Sequence, residues 1–226
     1  MNEDYIYYLF NETYKKHYYP VDDVDVIHVY EAVQCLLKSY YTRKHKRNLY
    51  NEKVVVLTIG EAIHKILQET MNGWGWETEK EVYYDAGRFR LVGHIDAFYN
   101  STVVELKSVS VLPKQPLLEH RLQTNAYIKM SNATVGYIAY INKRNGKVRV
   151  FPVGFNLQDW VAVLNRAEFL HDCLRNGKKP PIGEFGWLCK YCEYVDVCKP
   201  PVKVLRSCLL YTSDAADEGL GVDLGG

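Results

Sequence analysis

The chain has 226 residues, 47% of them hydrophobic and 24% charged, which excludes an intrinsically disordered protein and suits a single domain with its own core. Its 28 Lys and Arg nearly cancel 27 Asp and Glu, so the net charge of +1 excludes a polycation that binds nucleic acid wholesale, and any such contact must come from local patches. No run approaches the roughly 20 apolar residues of a membrane span, and residues 1–10 lack the basic-then-apolar pattern of a secretory signal. A cytoplasmic location and no membrane partner are therefore expected. Thiols stay reduced there, so the six cysteines read as metal ligands or buried thiols rather than disulfides.

In chain order, residues 24–46 read as one helix with Cys35 in its middle. It ends in a basic stretch, Arg43 to Arg47 with Lys44 and Lys46, next to Tyr40 and Tyr41. That stretch is either a guide for a nucleic-acid backbone or a solvated helix end. Residues 58–71 form a second expected helix. Thr58 and Glu61 have the spacing of a capping box, and Ile59, Ala62, Ile63 and Ile66 recur at helical spacing as a core face. Residues 81–84, 89–99 and 102–109 are rich in β-branched and aromatic side chains and read as strands. A helix over 117–130 follows, then strands over 135–142 and 147–153 around an Arg144-Asn145-Gly146 turn. A last helix over 157–175 stops before Pro180-Pro181, which lead into the cysteine segment. The order predicts an α/β fold with a mixed central sheet flanked by helices.

The strand pair 89–99 and 102–109 carries Asp96, Glu105 and Lys107. Residues two apart in a strand share a face, so Glu105 and Lys107 point the same way. With Asn100-Ser101 as a two-residue hairpin loop, Asp96 is expected opposite Glu105. Two such carboxylates repel unless a cation sits between them, and hard oxygen ligands suit Mg²⁺ or Mn²⁺. Such an ion polarises a phosphoryl oxygen and activates a bound water, and the Lys107 ammonium beside it would steady that chemistry. The alternative is a solvated strand face. It fits poorly, because Val103, Val104, Leu106 and Val109 make the strand otherwise apolar.

Near the C-terminus, Cys189-Lys190-Tyr191-Cys192 followed by Cys198 is a tight metal-binding trio. Cys35 is the best fourth ligand, with Cys173 and His171 as weaker candidates. Four such ligands would hold either zinc or an iron–sulfur cluster, and the spacing does not choose between them.

Asp96 followed by Glu105-Leu106-Lys107 resembles the nuclease core of the PD-(D/E)xK superfamily. Gly60-Glu61-Ala62-Ile63-His64 resembles the upstream histidine motif of its RecB branch, and His120, Gln123 and Tyr127 resemble that branch's downstream glutamine-tyrosine motif. One early and three late cysteines around this core resemble the CRISPR-associated RecB-like exonucleases over residues 24–199. Cys35 departs from that pattern, being followed by Leu36-Leu37 where the family often has proline and a basic residue. The resemblance implies a restriction-endonuclease-like core (58–154), an N-terminal helical segment with Cys35 (22–50), and a C-terminal cysteine segment (155–199). It implies Asp96, Glu105, His64 and the Leu106 carbonyl as metal ligands, with Lys107 assisting the water. Gln123, Tyr127 and His120, with Lys44, Lys46 and Arg47, would contact DNA. It favours a 4Fe–4S cluster on Cys35, Cys189, Cys192 and Cys198 over zinc or 2Fe–2S. The implied activity is exonucleolytic cutting of single-stranded DNA, 5′ to 3′, for CRISPR spacer acquisition alongside the CRISPR integrase proteins. Alternatives are a related nuclease of repair, recombination or a mobile element, and a non-catalytic DNA-binding scaffold with structural zinc. Residues 208–218 resemble the translation of a sequencing-library adapter, so 208–226 are expected to lie outside the single domain of 1–207.

Overall fold

The computed structural model describes residues 2–17, 22–45, 51–182, 189 and 192–199. The adapter-like segment 208–226 lies outside them. A six-stranded mixed sheet is built around β3 (Arg90–Tyr99). One edge of β3 pairs antiparallel with β2 (Glu77–Asp85) along nearly its whole length. The other edge is shared. A short β1 (Val26–His28) pairs parallel with residues 90–92, and β4 (Thr102–Val109) pairs antiparallel with residues 97–99 only. Beyond β4 come β5 (Val135–Asn142), parallel to it, and β6 (Val148–Val153), antiparallel to β5. β3 and β4 therefore join at their hairpin and then part, which opens the sheet beside His94 to Asp96.

The hairpin loop is Asn100-Ser101 as expected, both residues adopting positive φ (45° and 58°), the backbone of a type I′ turn. Helix α5 (Leu118–Ser131) connects β4 to β5 and lies close on the sheet, and bare glycines permit the approach. A Cβ at Gly93 would stand 2.3 Å from the Tyr127 ring, and one at Gly136 would stand 2.5 Å from Thr124. Helix α6 (Leu157–Arg175) packs on α5 with Trp160, Val163, Ala167 and Leu170 buried. Asn156 caps it by accepting from the Asp159 amide.

The N-terminal half departs from its sequence pattern. The helix expected over 24–46 is instead β1, a short α2 (Val29–Val33) and α3 (Leu36–Lys44), broken at Gln34 and Cys35. The break is a tertiary effect. Arg166 from α6 donates to the carbonyls of Ala32 (2.7 Å) and Gln34 (2.6 Å), taking the place of a further helical turn. Buried Glu31 accepts from the His28 amide (2.9 Å) and from Arg43 Nε (2.6 Å), so Arg43 ties α3 back to the start of α2. Arg43 is therefore structural and leaves the basic stretch. Lys44 is exposed, and Lys46 and Arg47 lie outside the described residues.

Helix α4 (Asn51–Gly73) starts well before Thr58, whose hydroxyl bonds back to the Val54 carbonyl inside the helix instead of capping it. The expected core face is also corrected, because Ile59, Ala62 and Ile66 are exposed. The inward side carries Gly60, His64 and Gln68, residues whose size and polarity serve the sheet opening beneath them. A further helix, α1 (Glu3–His17), packs along α4, and a short α7 (Val195–Cys198) ends the described chain. Among the described residues no helix is long and apolar enough to cross a membrane.

Candidate active site and the cysteine cavity

Where β3 and β4 part, Asp96 and Glu105 do not continue the ladder as the simple hairpin register predicts. The last paired residues are Ala97 and Val104. Asp96 turns its carboxylate across the opening, and Oδ2 accepts from the Leu106 amide at 2.7 Å, so a side chain meets the donor that the missing ladder leaves. Glu105, 2% exposed, places Oε1 2.7 Å from the Lys107 ammonium, and its Oε2 is buried with no hydrogen-bond partner. Lys107 also donates to Gln123 Oε1 (3.1 Å) on α5, and Gln123 Nε2 donates to the Tyr127 hydroxyl (3.0 Å). From α4, His64 Nδ1 stands 3.8 Å from Asp96 Oδ1.

The electrostatics follow from this crowding. Burial raises the Glu105 carboxyl, and the neighbouring Asp96 charge raises it further against the pull of Lys107. Burial raises Asp96 too, with Lys107 and the Leu106 amide opposing. Burial works against the Lys107 ammonium, yet the two carboxylates hold its pKa above the ordinary value. Burial and then Lys107 lower His64, which leaves a neutral imidazole, the form that binds metal.

Glu79, which the sequence pattern gave no reason to choose, also belongs here. It lies in β2 between the pairs Thr78–Ala97 and Lys80–Ile95, in register opposite Asp96, with φ of 51°. Gln68 clamps it, donating to Glu79 Oε1 (2.5 Å) and to the Asp96 carbonyl (3.2 Å). Its charge raises both the Asp96 and His64 pKa values. A non-glycine residue held at positive φ next to a cleft marks a functional feature, and only the three-dimensional register reveals this one.

A cavity of about 380 Å³ runs from Lys107, Glu119, His120 and Gln123 to Cys35, Cys189, Cys192 and Cys198. The early cysteine and the late trio thus line one cavity. Cys35 is the N-cap residue of α3 at the break described above, the Cys192 amide donates to the Cys189 carbonyl (3.2 Å), and the Cys198 amide donates to the Tyr194 carbonyl (2.8 Å). The four are outside any disulfide. Burial raises the Cys192 and Cys198 thiols, and the Cys35 thiolate would raise both further. Cys173 is buried elsewhere on α6. His171 bonds Asp25 (2.9 Å) and stacks on Phe89, so neither of the weaker candidates joins the set. Among the described residues no three His, Cys, Asp or Glu side chains stand in the closed geometry of a metal centre. The orphaned Glu105 Oε2 is nonetheless the feature a cation would satisfy, and the hard oxygens around it suit a hard ion.

Of the expected DNA contacts, His120 and Gln123 line this cavity. Tyr127 does not. It is 3% exposed with its ring against Gly93, and its hydroxyl reaches Gln123 and, through the backbone, His94. It is too deep to touch a strand.

A mixed sheet with an opened strand pair, flanked by α4 and α5, has the architecture of the RecB-like exonuclease fold. In sequence the chain is similar to the CRISPR-associated exonuclease Cas4 of Saccharolobus solfataricus, 23% identical over 202 residues, covering 84% of this chain and 96% of that protein. In structure it is similar to SSO0001, with a TM-score of 0.68 and 23% identity over 84% of this chain and 94% of that one. It is also similar to LHK-Exo in complex with dAMP, at a TM-score of 0.50 and 8% identity over 72% and 94% of the two chains. No protein-family model matches. The likeness read from the motifs thus recurs in both sequence and fold.

Proposed function

We propose that the chain is a divalent-metal-dependent DNA exonuclease whose active site is the opening between β3 and β4. The single observation that carries this reading is Glu105 Oε2, buried and unpartnered between Asp96 and Lys107. Chains rarely keep such an atom without use for it. Asp96, Glu105, the Leu106 carbonyl and His64 would hold Mg²⁺ or Mn²⁺, which when bound supplies a Lewis acid and an activated water. Lys107 orients the attacking water and balances charge at the phosphate. Gln123, braced by Tyr127, holds the ammonium in place. The cavity beyond Lys107 admits the strand, and exposed Lys44, with Lys46 and Arg47, draws its backbone in.

We assign Cys35, Cys189, Cys192 and Cys198 to a 4Fe–4S cluster that clips the chain's two halves together across a very long loop. The curated relative's name, a CRISPR-associated exonuclease, supports exonuclease activity in a CRISPR setting, and to this we add trimming of single-stranded DNA, 5′ to 3′, for spacer acquisition in company with the CRISPR integrase proteins.

The test is anaerobic purification followed by iron, sulfide and zinc analysis, then cutting of single strands labelled at either end with Mn²⁺. Brown protein with iron and sulfide, and early release of the 5′ label, agree with the proposal. Release of the 3′ label first reverses the polarity. Colourless protein with stoichiometric zinc and no cutting would leave a DNA-binding scaffold. Cutting without integrase binding would favour a repair, recombination or mobile-element nuclease.

A further inference from the structure

Tyr140 sits at the centre of β5 with no exposed surface, and its hydroxyl lies between two nitrogens. The Leu117 amide donates to it at 3.0 Å, and His120 Nδ1 lies 2.9 Å away. A phenol has one proton to give. The Leu117 N–H donates and cannot take that proton, so the buried phenolic proton points at His120 Nδ1, the acceptor within reach among the described residues. Nδ1 is then the acceptor, and the proton of the neutral ring belongs on Nε2. His120 lines the cavity one helical turn before Gln123, which carries Lys107. Burial and then the Lys107 ammonium hold the imidazole pKa down to about 3, so the ring stays neutral.

We propose that Tyr140 is a positioning residue that fixes His120 in the Nε2–H form, and that His120 Nε2–H donates to a non-bridging oxygen of the DNA phosphate lying beside Lys107. This rests on the nuclease reading above and adds to it the atom, the tautomer and the residue that sets it. Neutrality matters here. A second cation next to Lys107 would hold product phosphate as tightly as substrate, whereas a neutral donor orients the phosphate without trapping it. The relay starts at Leu117, the cap residue of α5, so the ring orientation is set by the backbone entering the same helix.

The experiment uses full-length, metal-loaded protein with histidine labelled in ¹⁵N, in four forms: wild type, Tyr140→Phe, His120→Ala and their double variant. Tyr140→Phe keeps the buried ring and removes only the hydroxyl. Wild type is expected to show His120 as the Nε2–H tautomer, and Tyr140→Phe a mixture of both. On single-stranded DNA, His120→Ala is expected to lower kcat/KM by roughly 10- to 100-fold, the effect of losing a hydrogen bond to a charged group. Tyr140→Phe should lose part of this, and the double variant should be no worse than His120→Ala alone. His120→Gln, whose amide nitrogen reaches near the imidazole Nε2, should recover part of the loss. An Nδ1–H tautomer in wild type, or fully additive losses in the double variant, would overturn the proposal. Wild type that binds single strands without cutting them would defeat the nuclease reading alone, and the same cycle would then be read from strand affinity.

Discussion

At one end of the cavity, Asp96 and Glu105 are buried beside a cation that the chain itself supplies, Lys107, and that cation is held in turn by Gln123 and Tyr127. At the other end, four cysteines line the same cavity, burial raises the Cys192 and Cys198 thiols, and the local support is thin. Glu193 bonds Lys53 (2.7 Å) and stands 3.6 Å from Lys38, while Tyr194 stacks on Tyr41 and donates to the His45 carbonyl. The oxygen site is thus assembled by the fold before any ion arrives. On the proposed cluster assignment, the sulfur site would bind only on losing protons, and binding there would couple to the fold. Removing a group from the first should change chemistry and leave the fold standing, whereas removing one from the second should change the fold and, through it, the chemistry.

The largest expected effect lies at the oxygen end. Lys107→Ala or Asp96→Ala should lower the cutting rate by roughly 100-fold or more, while circular dichroism and metal content of the cysteine site stay unchanged. Cutting at the wild-type rate would remove the site. At the sulfur end, Cys192→Ala should lose the cluster's iron and absorbance and lower the melting temperature. Unchanged iron would strike Cys192 from the ligand set. Between these two stands a packing test. Gly93→Ala drives a methyl into the Tyr127 ring, an overpacking that costs about 1–3 kcal/mol, or roughly 2–4 °C per kcal/mol in a chain of this size. It should also slow cutting through Gln123 and Lys107, and an unchanged rate would break that link.

A smaller effect concerns pH. Asp96 and Glu105 have folded-state pKa values above their ordinary values. The native state therefore binds protons that the unfolded chain has already lost. The pair's contribution to stability without metal should be greatest below the ordinary carboxylate range and should fall as pH rises through the raised values of the pair. Mn²⁺ should flatten the upper part of that curve, as should Glu105→Gln. A melting temperature that rises over this window would mean the pair is not buried as described. Smallest of all is Glu193→Gln, whose partly exposed lysine partners limit the loss to about 0–1 kcal/mol, read as a slight drop in melting temperature.

Period-two alternation made Glu105 and Lys107 legible as neighbours, and Asn100-Ser101 gave the hairpin, because both are set by local backbone chemistry. The early and late cysteines stand out by number and chemistry, and the fold places all four on the lining of one cavity. What stayed hidden depended on distant partners. The break at Gln34-Cys35 needs Arg166, 132 residues away from Gln34. The divergence of β3 from β4 depends on β1 taking the other end of the same edge. Glu79 looked like one of several glutamates in an exposed strand until the β2–β3 register and Gln68 set it beside Asp96. Tyr127 looked available to DNA because α5 reads as polar, yet Gln123, Thr124 and Asn125 are all buried against the opened sheet.

The most direct test is a Mn²⁺ titration followed by electron paramagnetic resonance on wild type, Glu105→Gln and Asp96→Asn. Tight binding of Mn²⁺ in wild type, lost or weakened at least tenfold in both variants, is the result that buried carboxylates around an unpartnered oxygen predict. Equal binding by all three would place the ion elsewhere and contradict the account.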